Sequence, residues 1–452
     1  MKLFLYQALA SLAGILGWPL FYHHLKSRGQ GESFFPRLGL SRPPAPPAGY
    51  PRIWVHGVSV GEILAAAPLV AELKALLPRS GLIVSTGTET GQALARRHFL
   101  PLGAVVCYFP LDLPWAVNQA LRVLQPDIFV ALESEVWPTF LTTARQRGVS
   151  LALMNARLSD RSFRRYTRYK KYVFELINIF EVIAAGSQED YRRLQSLGLA
   201  GSKLFFTGNL KVDALLDRRR QFPLFSPPTL LPDAAPGMPP GSGQPCSPLQ
   251  ERLNLRGEPV LLAASTHPGE EEVVLTAYES LRRSHPALLL ILAPRHPERA
   301  VAVGELLTRR GHGFQYWQSI KSGAEFRQQP VVLVDTVGDL FGLYAAADVA
   351  FVGGSLVPHG GQNILEPAVW GLAPLYGPHL ENFRWAEEIL QEAGVGAVVQ
   401  DAPSLAAAAQ HLLENPAERR RLSEAALAAL SAHQGAARRQ AELVARLKIE
   451  GG

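Results

Sequence analysis

Cysteine is almost absent: Cys107 and Cys246 are the only two in 452 residues. That excludes a disulfide scaffold and a cysteine-built zinc site, and it fits a reducing compartment. Charge is also scarce, at 19% of residues against the usual quarter, which rules out wholesale disorder. Neither sign dominates. The 45 Lys and Arg against 39 Asp and Glu leave only +6, so what matters is where the cations cluster. No G-x-G-x-x-G follows the first strand signal, which argues against a dinucleotide oxidoreductase. No short-period repeat is present. What remains is a globular chain, 47% hydrophobic and long enough for two or three domains.

Leu3 to Tyr22 carries no charge. As a helix it would be roughly 30 Å long, about one hydrocarbon core. Gln7, Ser11, Gly14, Gly17 and Pro19 lower its hydrophobicity. His23, His24, Lys26, Arg28 and Arg37 follow it, while Lys2 stands almost alone in front. This asymmetry keeps the main chain in the cytoplasm and argues against a cleaved signal peptide. An uncleaved anchor or an in-plane membrane helix is therefore expected over residues 1–30. A buried core helix is the plainer alternative.

From Arg52 onward short apolar runs alternate with helical patterns. Ile53–Val58, Leu82–Ser85, Val105–Tyr108, Ile128–Leu132, Leu151–Met154 and Val182–Ala185 read as buried parallel strands. A window from Pro223 to Pro248 with nine prolines breaks the pattern. The alternation then restarts in Val260–Ala264, Leu288–Ala293, Val331–Val334, Val349–Val352 and Ala373–Tyr376. The expectation is two doubly wound α/β domains, residues 45–222 and 251–430, joined by a linker over 223–250 and followed by a helical tail over 431–452. Strand C-termini of both would face a cleft, where ligands bind.

Five strand-end motifs are candidates for chemistry. Gly57-Val58-Ser59-Val60-Gly61-Glu62 puts a carboxylate at a strand-to-helix turn, although Ser59-x-x-Glu62 is also a capping box. In Glu133-Ser134-Glu135 two carboxylates stand at the mouth of a buried strand. There they cost desolvation unless partnered or used, and i, i+2 spacing on an extended segment would aim both at one site. Ser265-Thr266-His267 and Pro294-Arg295-His296 offer hydroxyls and a guanidinium for an anion, with N-capping as the plain reading of the first. Gly353 to Pro367 places four glycines between a strand and a helix. Such a loop can present backbone N–H groups to a phosphate, with Glu366 facing ribose hydroxyls; Asn363 and Glu366 would otherwise be cap residues.

A basic patch stands apart. Arg157, Arg161, Arg164, Arg165 and Arg168 recur at helical spacing, extended by Lys170 and Lys171 and offset only by Asp160. An arginine face suits phosphate, here anionic lipid rather than nucleic acid, unless it is simply solvated.

The strings WVHGVSVGE, ALESEVWP, NARLSDRS, TGNLKVD, PRHPER and GGSLVPHGGQNILEP occur in that order. Together they resemble the 3-deoxy-D-manno-octulosonate (Kdo) transferases of lipopolysaccharide synthesis, glycosyltransferase family 30, over about residues 1 to 430. The resemblance implies a GT-B architecture, two Rossmann-like α/β domains facing a central cleft, the first for the acceptor and the second for a CMP-sugar. It implies Kdo transfer from CMP-Kdo to a lipid A precursor (lipid IVA) with inversion, without metal or cofactor, at the cytoplasmic side of the inner membrane. Glu62 falls on the family's general base. Glu133 and Lys211 fall on positions supporting the transition state. Pro294, Arg295, Val337, Gly338, Asp339, Asn363, Ile364, Leu365 and Glu366 fall where the family holds CMP. Arg157, Arg161, Arg164 and Arg168 are the candidate acceptor contacts. Thr139 and Thr88-Glu89-Thr90 depart from the common pattern and bear on acceptor selectivity. Two rival readings are a GT-B sugar-nucleotide epimerase, which needs no membrane helix, and an anionic-lipid adaptor, which needs neither Glu62 nor the glycine loop.

Overall fold

The computed structural model describes residues 2–27, 31–199, 201–222 and 248–447. Arg28, Cys246 and the expected linker up to residue 247 lie outside them. The chain forms two compact units, residues 1–214 with 433–452, and residues 215–432.

In the first unit seven parallel strands form one sheet. They are β1 Arg52–His56, β2 Gly81–Thr86, β3 Val105–Tyr108, β4 Ile128–Leu132, β5 Ser150–Ala156, β6 Val182–Ala185 and β7 Leu204–Phe206, in the order β3-β2-β1-β4-β5-β6-β7. Successive side chains point to opposite faces, and helices cover both faces, so the strands are largely apolar, with His56, Ser85, Thr86 and Asn155 the buried polar residues near their C-terminal ends. Ile53 and Val55 pack with Leu69, Val84 and Val130 on one side. Trp54 packs on the other with Phe109, Phe129 and Phe140, and its indole N–H donates to Ser85 Oγ at 2.7 Å.

The second unit repeats the plan. Its strands are β8 Val260–Thr266, β9 Leu289–Pro294, β10 Phe314–Tyr316, β11 Val331–Leu333, β12 Val349–Val352, β13 Pro374–Tyr376 and β14 Ala397–Val398, ordered β10-β11-β9-β8-β12-β13-β14. In both sheets the order reverses direction beside the first strand, between β1 and β4 and between β8 and β12. Ligands of open α/β sheets bind at such points.

The helix Ala436–Arg446 lies on the first unit rather than standing apart as a tail. Ala437, Ala441 and Val444, at helical spacing, enter the same core as Ile63, Leu69 and Leu73 of the helix Val60–Leu76.

The N-terminal segment is a helix, Lys2–Ser27. Among the described residues no helix is long and apolar enough to cross a membrane, so the spanning reading of this segment is not supported. Its Gln, Ser, Gly and Pro residues dilute the apolar run, and part of it serves packing. Tyr6 donates to Asp112 at 2.9 Å, and the Tyr22 ring lies 5.1 Å from Phe34. Leu5, Leu9, Leu12 and Leu16 are nevertheless exposed at i, i+4, i+7, i+11, a continuous apolar stripe.

Candidate functional site

The first unit brings three sequence-predicted residues together at the β1/β4 reversal. After β1 the chain turns through Gly57 into the helix Val60–Leu76, capped by Ser59. Glu62 reaches back into this turn. Its carboxylate accepts from Val58 N–H at 2.7 Å and from the Ser59 hydroxyl at 3.0 Å. Ser59 caps the helix by accepting from Glu62 N–H at 3.3 Å, but the reciprocal bond of a capping box is absent, because the Glu62 carboxylate takes Val58 N–H in place of Ser59 N–H. Gly57 provides a close approach: a Cβ on it would lie 3.1 Å from Glu62 Cβ.

Glu133 follows β4 with φ of +57°, a left-handed conformation that non-glycine residues seldom hold. This twist separates the two carboxylates that an extended segment would have aimed together. Glu133 pairs with Lys211 Nζ at 2.6 Å. Glu135 instead accepts from Trp137 Nε1 at 2.7 Å and lies 3.7 Å from His56 Nε2. The His56 ring is buried, stacked at 3.8 Å on Phe109. Burial, and next the negative charge of Glu133, push the Glu62 carboxyl up to about 7. A carboxyl poised there is suited to take a proton near neutrality.

In the second unit a cavity of about 440 Å³ opens at the ends of β8, β9, β11 and β12, within the roughly 300–1,000 Å³ typical of small-molecule sites. Pro294, Arg295, Val337, Gly338, Asn363 and Glu366 line it as expected. Ile364 and Leu365 do not; both are fully buried and anchor the loop in the core. Asp339 does not line it either, because Lys321 Nζ holds its carboxylate at 2.8 and 2.9 Å. Burial raises the Glu366 carboxyl, opposed by Arg218 and Arg295. Arg218 stands 3.9 Å from Glu366 and lies 4.0 Å over the Phe341 ring. Sequence reasoning missed Arg218: it is 77 positions before Arg295 and carries no local motif.

The glycine loop differs from expectation. The N–H groups of Gly354, Ser355 and Leu356 are not open to a phosphate. They donate to the Glu270 carboxylate at 2.6, 3.0 and 2.9 Å, and His267 N–H adds a fourth bond at 2.9 Å. Gly353 is required by this clamp, since a Cβ there would lie 2.7 Å from Glu270 Oε2.

The arginine face is shorter than the spacing implied. The helix runs Asp160–Arg168, so Arg157 precedes it, and Lys170 begins a second helix, Lys170–Ile177. Arg161, Arg164, Arg165 and Arg168 are exposed along one side.

A strand-end acid at one sheet reversal and a nucleotide-sized cavity at the other belong to a two-domain α/β class that includes glycosyltransferases. A glycosyltransferase from Rickettsia africae superposes with a TM-score of 0.59 over 88% of this chain and 99% of its own, at 13% identity, which speaks for the fold alone. Residues 32–214 match the family described as 3-Deoxy-D-manno-octulosonic-acid transferase (kdotransferase). The 3-deoxy-D-manno-octulosonic acid transferase of Haemophilus influenzae is 34% identical over 88% of this chain and 87% of its own. That of Bordetella pertussis is 34% identical over 96% of each. The chain belongs to the Kdo transferase family, and it is a glycosyltransferase. The epimerase and adaptor readings are set aside.

Proposed function

We propose that the enzyme transfers Kdo from CMP-Kdo to a lipid A precursor, lipid IVA, with inversion at the anomeric carbon. The observation that carries the mechanism is Glu62, a half-buried carboxyl raised to about 7 beside the Glu133–Lys211 pair. Glu62 acts as general base on the acceptor hydroxyl as it attacks. Lys211 and Glu133 hold the charge balance around it. The second-unit cavity takes CMP. Arg295 and Arg218 are the cations available to the departing phosphate, and Glu366 accepts from ribose hydroxyls. Arg161, Arg164 and Arg168 meet acceptor phosphates or anionic headgroups, and Arg157 contributes from the preceding loop. The exposed leucine stripe favours a helix lying in the plane of the inner membrane's cytoplasmic leaflet over one that crosses it. The test is radiolabelled Kdo transfer from CMP-Kdo to tetraacylated lipid A precursor, with the product mass. Absence of a Kdo-bearing product from active, folded protein would overturn the assignment.

A further inference from the structure

Lys211 reaches Glu133 only if the segment before it is held in place. Lys211 is the second residue of the helix Leu210–Arg220, so the loop Thr207–Asn209 decides where its side chain starts. That loop is gripped by a helix more than 220 positions away in sequence. Gln440, fully buried in the helix Ala436–Arg446, donates from Nε2 to Thr207 Oγ1 at 2.9 Å and to Gly208 O at 3.1 Å. Its Oε1 accepts from Asn155 N–H at 3.1 Å. The Asn155 side chain in turn accepts from Leu210 N–H at 3.0 Å, from a backbone held at φ of +51°. Arg439 Nε donates to Thr207 O at 2.9 Å. Asp213, on the far side of Lys211, accepts from Gly435 and Ala437 N–H at 2.8 and 2.7 Å.

A buried amide with its donors and acceptor engaged by backbone and hydroxyl groups is a rigid fixture. Apolar packing already attaches this helix through Ala437, Ala441 and Val444. Gln440 is polar in that setting, and every bond it makes goes to the loop of Lys211 or to the residue bonded to that loop's end.

We infer that Gln440 is a positioning residue, which sets Lys211 against Glu133 so that the C-terminal helix completes the acid–base site of the first unit. The inference rests on the proposed role of Glu62. The charged groups that act on Glu62 are Glu133 and Glu135, with Lys211 balancing the first and His56 beside the second. A displaced Lys211 leaves the Glu133 charge uncompensated, which makes Glu62 harder to ionise.

The test is the pH profile of kcat for Kdo transfer, whose acidic limb reports Glu62. Lys211→Ala should move that limb up, and Glu133→Gln should move it down. Gln440→Met, which keeps the length and removes the amide, should move it up by about half a unit or more, roughly a threefold loss of kcat below the limb. CMP affinity, measured by calorimetry, should not change. Thr207→Val removes one acceptor of the same amide and serves if Gln440→Met fails to fold; it should shift the limb the same way. A folded Gln440→Met or Thr207→Val protein with lowered melting temperature but an unmoved limb would reduce Gln440 to packing and overturn the inference. If Lys211→Ala and Glu133→Gln also leave the limb unmoved, the role given to Glu62 falls with it.

Discussion

At the scale of single residues, the proposed mechanism gives the Glu62 carboxylate two jobs, holding the turn after β1 and taking the acceptor's proton. Its bonds from Val58 and Ser59 favour the anion, yet burial and Glu133 outweigh them and the carboxyl rises to about 7. Activity should therefore climb as pH rises through about 7, when the base is free to accept. Stability should run the other way. A carboxyl raised on folding binds its proton more tightly in the native state, so its contribution is full below the ordinary carboxylate range and is lost as pH rises through about 7. Glu62→Gln should keep the fold, remove that slope from a melting-temperature series, and lower kcat by roughly 10²–10⁴. Activity within a few-fold of wild type would end its assignment as base. Glu366 is testable separately. Glu366→Ala should weaken CMP binding by roughly 1.5–3 kcal/mol, the range for hydrogen bonds to charged groups, and unchanged calorimetry would leave it a loop residue only.

At the scale of elements, Glu270 ties the turn after β8 to the loop after β12. It fills with a protein carboxylate the N–H groups that could have held a ligand phosphate. Glu270→Ala would leave four backbone donors without their acceptor, each costing about 1–3 kcal/mol where water cannot reach. A fall in unfolding free energy of at least about 3 kcal/mol in urea is expected, together with weaker CMP binding, because Gln362, Asn363 and Glu366 continue from the same loop. A variant as stable as wild type would mean that water replaces the carboxylate. These elements were legible in sequence to different depths. The eleven strands marked by buried apolar runs are all present, because a strand covered on both faces is largely apolar. β7, β10 and β14 were missed. They are two or three residues long and sit at sheet edges, too short to show a period even where, as in Leu204-Phe205-Phe206, every residue is apolar. The strand-end motifs lie at the two sheet reversals and the strand end next to them, where an open α/β sheet leaves room for acids, glycines and arginines. What lay beyond reading was which partner each group takes. Glu270 heads three glutamates at a helix start, where an acid needs only the helix dipole; Arg218 has no motif, and Gln440 is one polar letter in an Ala-rich helix. Such choices are settled by three-dimensional neighbours far apart in the chain.

At the scale of the whole molecule, the first unit carries two surfaces that suit an amphipathic anionic lipid. One is the stripe of Leu5, Leu9, Leu12 and Leu16, each more than half exposed, a larger apolar line than a water-facing helix normally keeps. The other is the row Arg161, Arg164 and Arg168. Their contributions separate by deletion and by charge. Removing residues 1–30 takes one of the groups that bond Asp112, which still accepts from Thr139 and Phe140 N–H at 2.9 and 2.8 Å. The truncated protein should therefore fold, leave membrane pellets for the supernatant, and still transfer Kdo to detergent-dispersed acceptor, since Glu62 and the CMP cavity lie outside the deleted segment. Changing Leu5, Leu9, Leu12 and Leu16 together to serine should release it from vesicles to the same extent, the outcome that the proposed in-plane attachment requires. Changing Arg161, Arg164 and Arg168 together to glutamine should act differently. It should raise the acceptor KM about threefold or more at low salt, roughly 0.7 kcal/mol for exposed charges, and leave CMP affinity alone. The wild-type KM should itself rise with salt as the screening length shortens to roughly 8–10 Å, and the triple variant should have lost that dependence. Wild-type acceptor kinetics in the triple variant at low salt would make the row ordinary solvated surface. The acceptor phosphates of the proposed reaction would then have to be met by other cations of the first unit, with Arg165, then Arg157 and Lys170, the nearest in sequence to test.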